Sequence, residues 1–299
     1  MTLITGLIWG GVGIVFSLVI KRNMDFSSFM LLASGLILIS SLVIIPDYTA
    51  IMSGDANSRF FELLFVMLAV AVTANIGFLK MRDAMQCGHH GFAWAIAQSA
   101  MILPFIFALL FWKEKAEISR IAGVLLILTS FALLSLKEIR RPMKTINLKC
   151  GSPGTGLTWI LFSISAFLLI GTSQIFSILP SHWGDWSDKG ALRVPLMSGF
   201  TFIFWTGYHL LKGGKVPLKG TLLYSLIYAF LVLSGQVVLY KSLDIMAVAK
   251  ISSLVYPLAV GACIMMVVGY SAFKLKEEFG ISGIAGILMS LLGIILISV

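Results

Sequence analysis

Two stretches of this 299-residue chain set polar side chains at helical spacing inside apolar sequence. In the first, Lys250, Ser253 and Pro257 fall at i, i+3 and i+7 on one helix face, with Tyr256 beside them. A lysine there pairs with an anionic group or donates to the hydroxyls of a polar solute. The competing reading is a lysine that snorkels to a membrane surface. In the second stretch, His90, Trp94 and Gln98 are spaced i, i+4 and i+8. Trp94 brings an apolar ring and an N–H donor, a combination that suits sugars, nucleosides or amino acids. The alternative is an interfacial pair, His89 and His90, under an aromatic belt. Asn75 and Gln236 read either as amides facing a cavity or as hydrogen-bonding links between helices. Trp9 and Trp159 read as cavity walls or interfacial anchors. Gln174, Trp205, Tyr208 and His209 are further candidates. Pro104 and Pro257 interrupt apolar runs, where proline kinks a helix and frees a carbonyl, which suits a gate.

Other chemistries lack their residues. None of the 13 carboxylates lies deep in an apolar run; Glu62, Asp83 and Asp244 come nearest, at run ends. Cys87, Cys150 and Cys263 show no CxxC spacing and no histidine partner, so neither a disulfide framework nor a zinc site is expected. No buried acid/base pair or nucleophile appears, so the expectation is a protein that is not an enzyme, with no cofactor and no metal. A channel would need charge rings or a carbonyl filter loop, and neither is visible.

The elements that must position these residues follow from composition. Hydrophobic residues make up 59% and charged residues 12%, and mean hydropathy is +0.99. A soluble domain carries about 25% charge, so this chain has too little polar surface to face water. Ten runs approach the roughly 20 residues that cross a bilayer: 3–20, 26–46, 60–79, 91–112, 120–137, 156–179, 190–211, 221–240, 246–273 and 281–299. The first reads as a permanent helix, having no basic segment before it and no cleavage site after it. The expected fold is all-α, ten transmembrane helices with the lipid bilayer as partner. The net charge of +9 is scattered between the runs, which fits positive loops and not a nucleic-acid face. Connector 138–155, basic and ending Gly151-Ser152-Pro153-Gly154, divides the chain into halves 1–145 and 146–299.

The halves resemble each other. Thr5-Gly6-Leu7-Ile8-Trp9 opens the first run and Thr155-Gly156-Leu157-Thr158-Trp159 the sixth. An offset of 161 pairs Asn75 with Gln236, Lys80 with Lys241, Asp83 with Asp244 and Met85 with Met246. A further shift of two pairs Lys113-Glu114 with Lys276-Glu277 and Gly123 with Gly286. Five is an odd number of crossings, so the second half would lie upside-down relative to the first. Inverted repeats place a solute site at their interface and give two related packings for alternating access.

On these residues the chain resembles the drug/metabolite transporter superfamily, in its ten-helix EamA-type branch. The resemblance rests on Trp9-Gly10, the segments Lys80–Met85 and Lys241–Met246, and Glu114 and Glu277; Lys-Glu stands where the family has Gly-Glu. It implies a secondary transporter of a small organic metabolite such as an amino acid, sugar or nucleoside. It also implies a central cavity lined by the first, third, fourth, sixth, eighth and ninth runs. The histidine pair and Lys250 are also similar to the glucose/ribose porter branch, which makes a sugar uptake carrier the alternative, beside a flippase of lipid-linked substrates. The small multidrug relatives use an acidic residue in their first helix; residues 3–20 hold none, which favours neutral or anionic solutes. The expected setting is a bacterial cytoplasmic membrane. Lysines and arginines concentrate in the odd-numbered connectors, which places both termini outside, while the resemblance implies both inside. Ser282, Gly286 and Ser290 form a small-residue ridge that suits close packing or a homodimer through the last run.

Overall fold

The computed structural model describes residues 1–44, 57–87, 90–113, 117–139, 156–183, 192–213, 218–274 and 281–298. His89, Glu114, Lys276, Glu277 and connector residues 140–155 lie outside them, as does the Ser253 side chain. All regular structure among the described residues is helical. The first half contributes α1 (Thr2–Lys21), α2 (Phe26–Ile44), α3 (Asn57–Cys87), α4 (His90–Gln98), α5 (Ile102–Phe111) and α6 (Ile118–Ile139). The second contributes α7 (Gly156–Ile178), α8 (Arg193–Leu211), α9 (Leu218–Val248), α10 (Val255–Phe273) and α11 (Ile281–Ser298).

Five helices are long and apolar enough to cross a membrane: Thr2–Lys21, Phe26–Ile44, Arg59–Cys87, Thr158–His182 and Gly220–Val248. Their outer faces are apolar as well. Leu7 is 56% exposed, Phe65 75% and Phe230 71%, a surface that water penalises and hydrocarbon accepts. Over its described residues the chain is an all-helical integral membrane protein.

Three boundaries differ from the sequence reading, each for a local reason. α3 and α9 both run 31 residues, about 47 Å at 1.5 Å per residue, well beyond the apolar core of a bilayer. The segments Lys80–Met85 and Lys241–Met246 therefore continue these helices and do not lead into the next ones. The ninth run, read as 246–273, is broken. Lys250 takes a left-handed φ of 56°; its N–H bonds to the Ala247 carbonyl, and the Ile251 N–H to that of Met246, both at 3.0 Å. That is the reverse-turn cap that ends many helices, with lysine where glycine is usual. Asn23, at φ 51°, ends α1 in the same way. The fourth run divides at a short 3₁₀ turn, Ser99–Met101.

The two prolines belong to those breaks. Pro104 and Pro257 each occupy the third residue of a new helix, after the 3₁₀ turns Ser99–Met101 and Ser252–Leu254. In a first turn the missing N–H costs little, so neither kinks a helix in mid-course as expected. Pro104 offers no N–H to the Ala100 carbonyl, which accepts instead from a backbone N–H at the end of the 3₁₀ turn. That oxygen faces Gly171 of α7, where a methyl group would lie 3.0 Å from it.

The helices pair in matched sets. α1 packs on α9 and α10, while α7 packs on α3 and on the α4–α5 pair. α2 meets α8 and α9, α8 meets α2 and α3, and α6 lies against α11. Small residues let these backbones approach closely. A methyl on Gly6 would sit 2.1 Å from the Ala259 carbonyl oxygen of α10, and one on Gly123 would sit 2.4 Å from that of Gly293 on α11. Gly286 and Ser290 are buried on the α11 face that carries Gly293, whereas Ile284, Leu288 and Leu292 face outward. One correction concerns the cysteines. Cys87, at the end of α3, is disulfide-bonded, and a single bridge needs no spacing motif to announce it. Cys263 is free and buried.

Candidate functional site

A cavity of about 140 Å³ lies where the two halves meet. It is comparable with a cavity that accepts a benzene-sized molecule. α1, α3, α4, α7, α9 and α10 all contribute to its wall, the first, third, fourth, sixth, eighth and ninth runs of the sequence, and Met197 of α8 joins them. A side pocket of about 40 Å³ shares Phe78, Met197, Tyr228 and Gln236 with it. Among the described residues, every side chain lining the larger cavity is uncharged.

Of the residues singled out by sequence, Trp9, Trp94, Gln98, Gln236 and Tyr256 line this cavity, together with Gln174. Trp9 lies against Gly235 of α9, where a methyl would come within 2.9 Å of its Nε1, and its ring centre is 6.2 Å from that of Tyr256. The Trp94 Nε1–H donates to Cys263 Sγ at 3.4 Å. Gln236 Nε2 donates to Met197 Sδ at 3.6 Å, and Tyr240 Oη donates to the same sulfur at 3.3 Å. Tyr256 owes its place to the break at Lys250. By ending α9, that turn lets α10 start afresh at Val255 and puts Tyr256 in its first turn.

The remaining candidates fall elsewhere. Asn75 is committed to structure: its Nδ2 donates to the Ala71 carbonyl at 2.6 Å and to Thr201 Oγ1 at 3.2 Å, and its Oδ1 accepts from Trp205 Nε1 at 2.7 Å. It ties α3 to α8 and touches only the side pocket. Trp159 is buried in the core away from the cavity. His90 is the first residue of α4 and does not reach the cavity wall. Lys250 is exposed in its turn, outside the cavity, so it does not join Tyr256 as the helical spacing predicted. The spacing argument assumed one unbroken helix. Tyr208 and His209 sit near the end of α8, where His209 Nδ1 lies 3.1 Å from Ser27 Oγ.

One group escaped the sequence reading altogether. Arg193, only 1% exposed, forms an ion pair with Asp244. Its Nη1 donates to Ser181 Oγ at 2.8 Å and to the Ser177 carbonyl at 3.4 Å, and its guanidinium lies 5.0 Å above the Tyr240 ring. Ser177 and Tyr240 both line the cavity, so this bridge between α8 and α9 stands at one of its ends. An arginine in an apolar run was the available signal. On the same side His182 stacks on Trp112 at 3.6 Å and lies 3.1 Å from Ser252 Oγ.

No family model matches the chain, and neither does any curated protein. Among solved structures, one crystal structure is similar over 98% of this chain and 95% of its own chain, with a TM-score of 0.59 at 15% sequence identity. At that identity the likeness speaks for the fold alone.

Proposed function

We propose that this chain is a ten-helix secondary transporter of the drug/metabolite type, built from two inverted five-helix repeats. It moves a small polar organic metabolite across a bacterial cytoplasmic membrane by alternating access. The observation that carries this reading is the cavity at the junction of the halves, walled by corresponding helices from each. The pairing of helices supports it too. Exchanging α1 for α7, α2 for α8, α3 for α9, the α4–α5 pair for α10 and α6 for α11 carries each principal contact onto a principal contact, with α2–α8 and α6–α11 mapping onto themselves. A two-fold arrangement of this kind has two related packings, and rocking between them would expose one cavity to either side in turn.

The lining narrows the solute. With no charged side chain among the described residues of the wall, an ion would enter unpaired, at a cost of several kcal/mol. Neutral solutes fit best, and the volume suits a single ring in place of a lipid headgroup with its chains. The test is counterflow in liposomes loaded with unlabelled amino acids, hexoses and nucleosides, adding a tracer of each class. Saturable, trans-stimulated uptake of at least one tracer is expected, with Gln98→Ala lowering it at unchanged expression. Flux that is linear in concentration and indifferent to internal solute would overturn the reading.

A further inference from the structure

The principal contacts divide the helices around the cavity into two sets. α1 packs on α9 and α10, and α7 packs on α3, α4 and α5. The sets meet along α4 and α10, where Trp94 bonds to Cys263. They are also joined at one end, by charge. Asp244 lies one turn before the end of α9, in the first set. Arg193, the first residue of α8, is tied to the second. Its Nη1 donates to the Ser177 carbonyl of α7 at 3.4 Å and to Ser181 Oγ, in the 3₁₀ turn after α7, at 2.8 Å. One oxygen of Asp244 then accepts both Arg193 Nη2 and Ser181 Oγ, the latter at 2.8 Å. Two neutral links stand beside this pair. Ser177 Oγ is 2.5 Å from Tyr256 Oη of α10, and His182 Nε2 is 3.1 Å from Ser252 Oγ.

The opposite end is built differently. α8 reaches both: Arg193 begins it, and Trp205, about 18 Å along at 1.5 Å per residue, packs edge-on against Phe26 of α2. The Arg82 guanidinium lies 5.3 Å over that Phe26 ring, so α3 finishes at this second end. Asp83, the counterpart of Asp244 under the offset of 161, bonds to Arg82 Nε at 2.9 Å. Arg82 is its neighbour in the same helix, so that pair bridges nothing. The charged link between the sets is therefore made at one end of the cavity and not at the other. Its burial is graded as well. The Arg193 side chain is 1% exposed and that of Asp244 16%, which puts the guanidinium behind the carboxylate, above the Tyr240 ring of the cavity wall.

We propose that Arg193 and Asp244 are the gate of the cavity at the end where α9 finishes. The pair is made while that face is shut, and it parts when the two sets of helices separate there. Ser181 positions both partners. The proposal rests on the alternating-access reading, in which the two ends open in turn. A contact made in only one of two states biases their equilibrium by its own free energy. Removing the pair therefore moves the population toward the state open at the α9 end and away from the state open at the other.

The experiment reads access to the cavity from each face of the membrane. Ser173→Cys places a thiol on the cavity wall, and its reaction with a membrane-impermeant methanethiosulfonate is timed in vesicles, with reagent on one face at a time. The chain without that substitution gives the background of its own cysteines. Lys250→Cys, in the exposed turn that follows α9, identifies the α9 face. Arg193→Met combined with Asp244→Asn should make the Ser173→Cys thiol react about ten-fold faster from the α9 face and no faster from the other. Ser181→Ala, which keeps the ion pair but removes its support, should shift the rates in the same direction by less. Should the double variant fail to fold, Ser181→Ala decides alone. Unchanged rates, or a rise from both faces such as general loosening gives, overturns the proposal. Either of those results beside counterflow by the unaltered chain would leave the transport reading standing without this gate. Faster reaction from the α9 face alone, in a chain without counterflow, would keep the gate and remove the transport reading.

Discussion

Three side chains illustrate how a single residue's job is set by its backbone. Lys250 holds a left-handed φ of 56° in an exposed turn, a conformation that costs an L-residue about 1 kcal/mol and glycine almost nothing. Lys250→Gly should therefore raise the midpoint of thermal unfolding and leave solute binding unchanged. A fall in binding would return the ammonium to the site. Asp25 precedes α2 and caps it, its Oδ2 accepting the Ser28 N–H at 3.0 Å and the Ser27 hydroxyl at 2.9 Å at the helix start. Burial acts to raise its pKa, but the bonds from Ser28 and Ser27 outweigh that and hold it below 3.8. A lowered folded-state pKa means stability that is present above the unfolded value and lost as pH falls through the folded one. Thermal melts of the wild type should lose this contribution in acid below about pH 4. Asp25→Asn, which keeps an acceptor for the cap, should lose less over the same range. Parallel acid profiles for the two proteins would count against the cap. The Tyr256 hydroxyl lies 2.5 Å from Ser177 Oγ, so Tyr256→Phe, which removes that hydrogen bond, should cost about 1 kcal/mol in the same melts.

Among the elements, α8 and α9 are joined by the pair Arg193–Asp244, with the arginine almost wholly buried. Removing one partner of a buried pair strands the other, at a cost of about 3–5 kcal/mol. Arg193→Met alone should lower the thermal midpoint sharply. Adding Asp244→Asn should restore much of the loss, a coupling that a double-mutant cycle reads directly. Additive effects would mean that the two groups act independently. The helices themselves were legible in the sequence, because uninterrupted apolar runs have few other ways to satisfy their backbone in hydrocarbon. Where the helices break was not legible. Hydropathy runs unchanged through Ser99–Met101, and Lys250 resembles an ordinary helix-former until its φ is known. The site inherits that division. Helical spacing pointed to Trp94, Gln98 and Tyr256 and the repeat to Trp9 and Gln236, and these five stand on the cavity wall. Ser173, Ser177 and Tyr240 were not found, since a serine or tyrosine in an apolar run gives no sign of which face it occupies. Asn75 matched Gln236 in the repeat, yet the indole of Trp205 arrived from α8, 130 residues away in sequence, and took its oxygen. Such a contact leaves no trace in local spacing.

For the whole molecule, the lipid-facing surface and the uncharged centre come from the same scarcity of charge. The chain keeps its ionised groups at helix ends, where Arg193–Asp244 closes one side and Arg82–Asp83, 2.5 Å apart, marks the end of α3. The halves make close backbone contacts through Gly6, Gly123 and Gly293, so any rocking motion must slide along glycine-lined seams or part them. Gly123→Leu should prevent α6 and α11 from docking and abolish folded protein in size-exclusion profiles. A folded, binding-competent Gly123→Leu protein would show that this seam is dispensable. The same glycines also set how far apart their helices stand. One added carbon at Gly6 would meet the Ala259 carbonyl oxygen at 2.1 Å, so each seam works as a ruler cut to zero side-chain length.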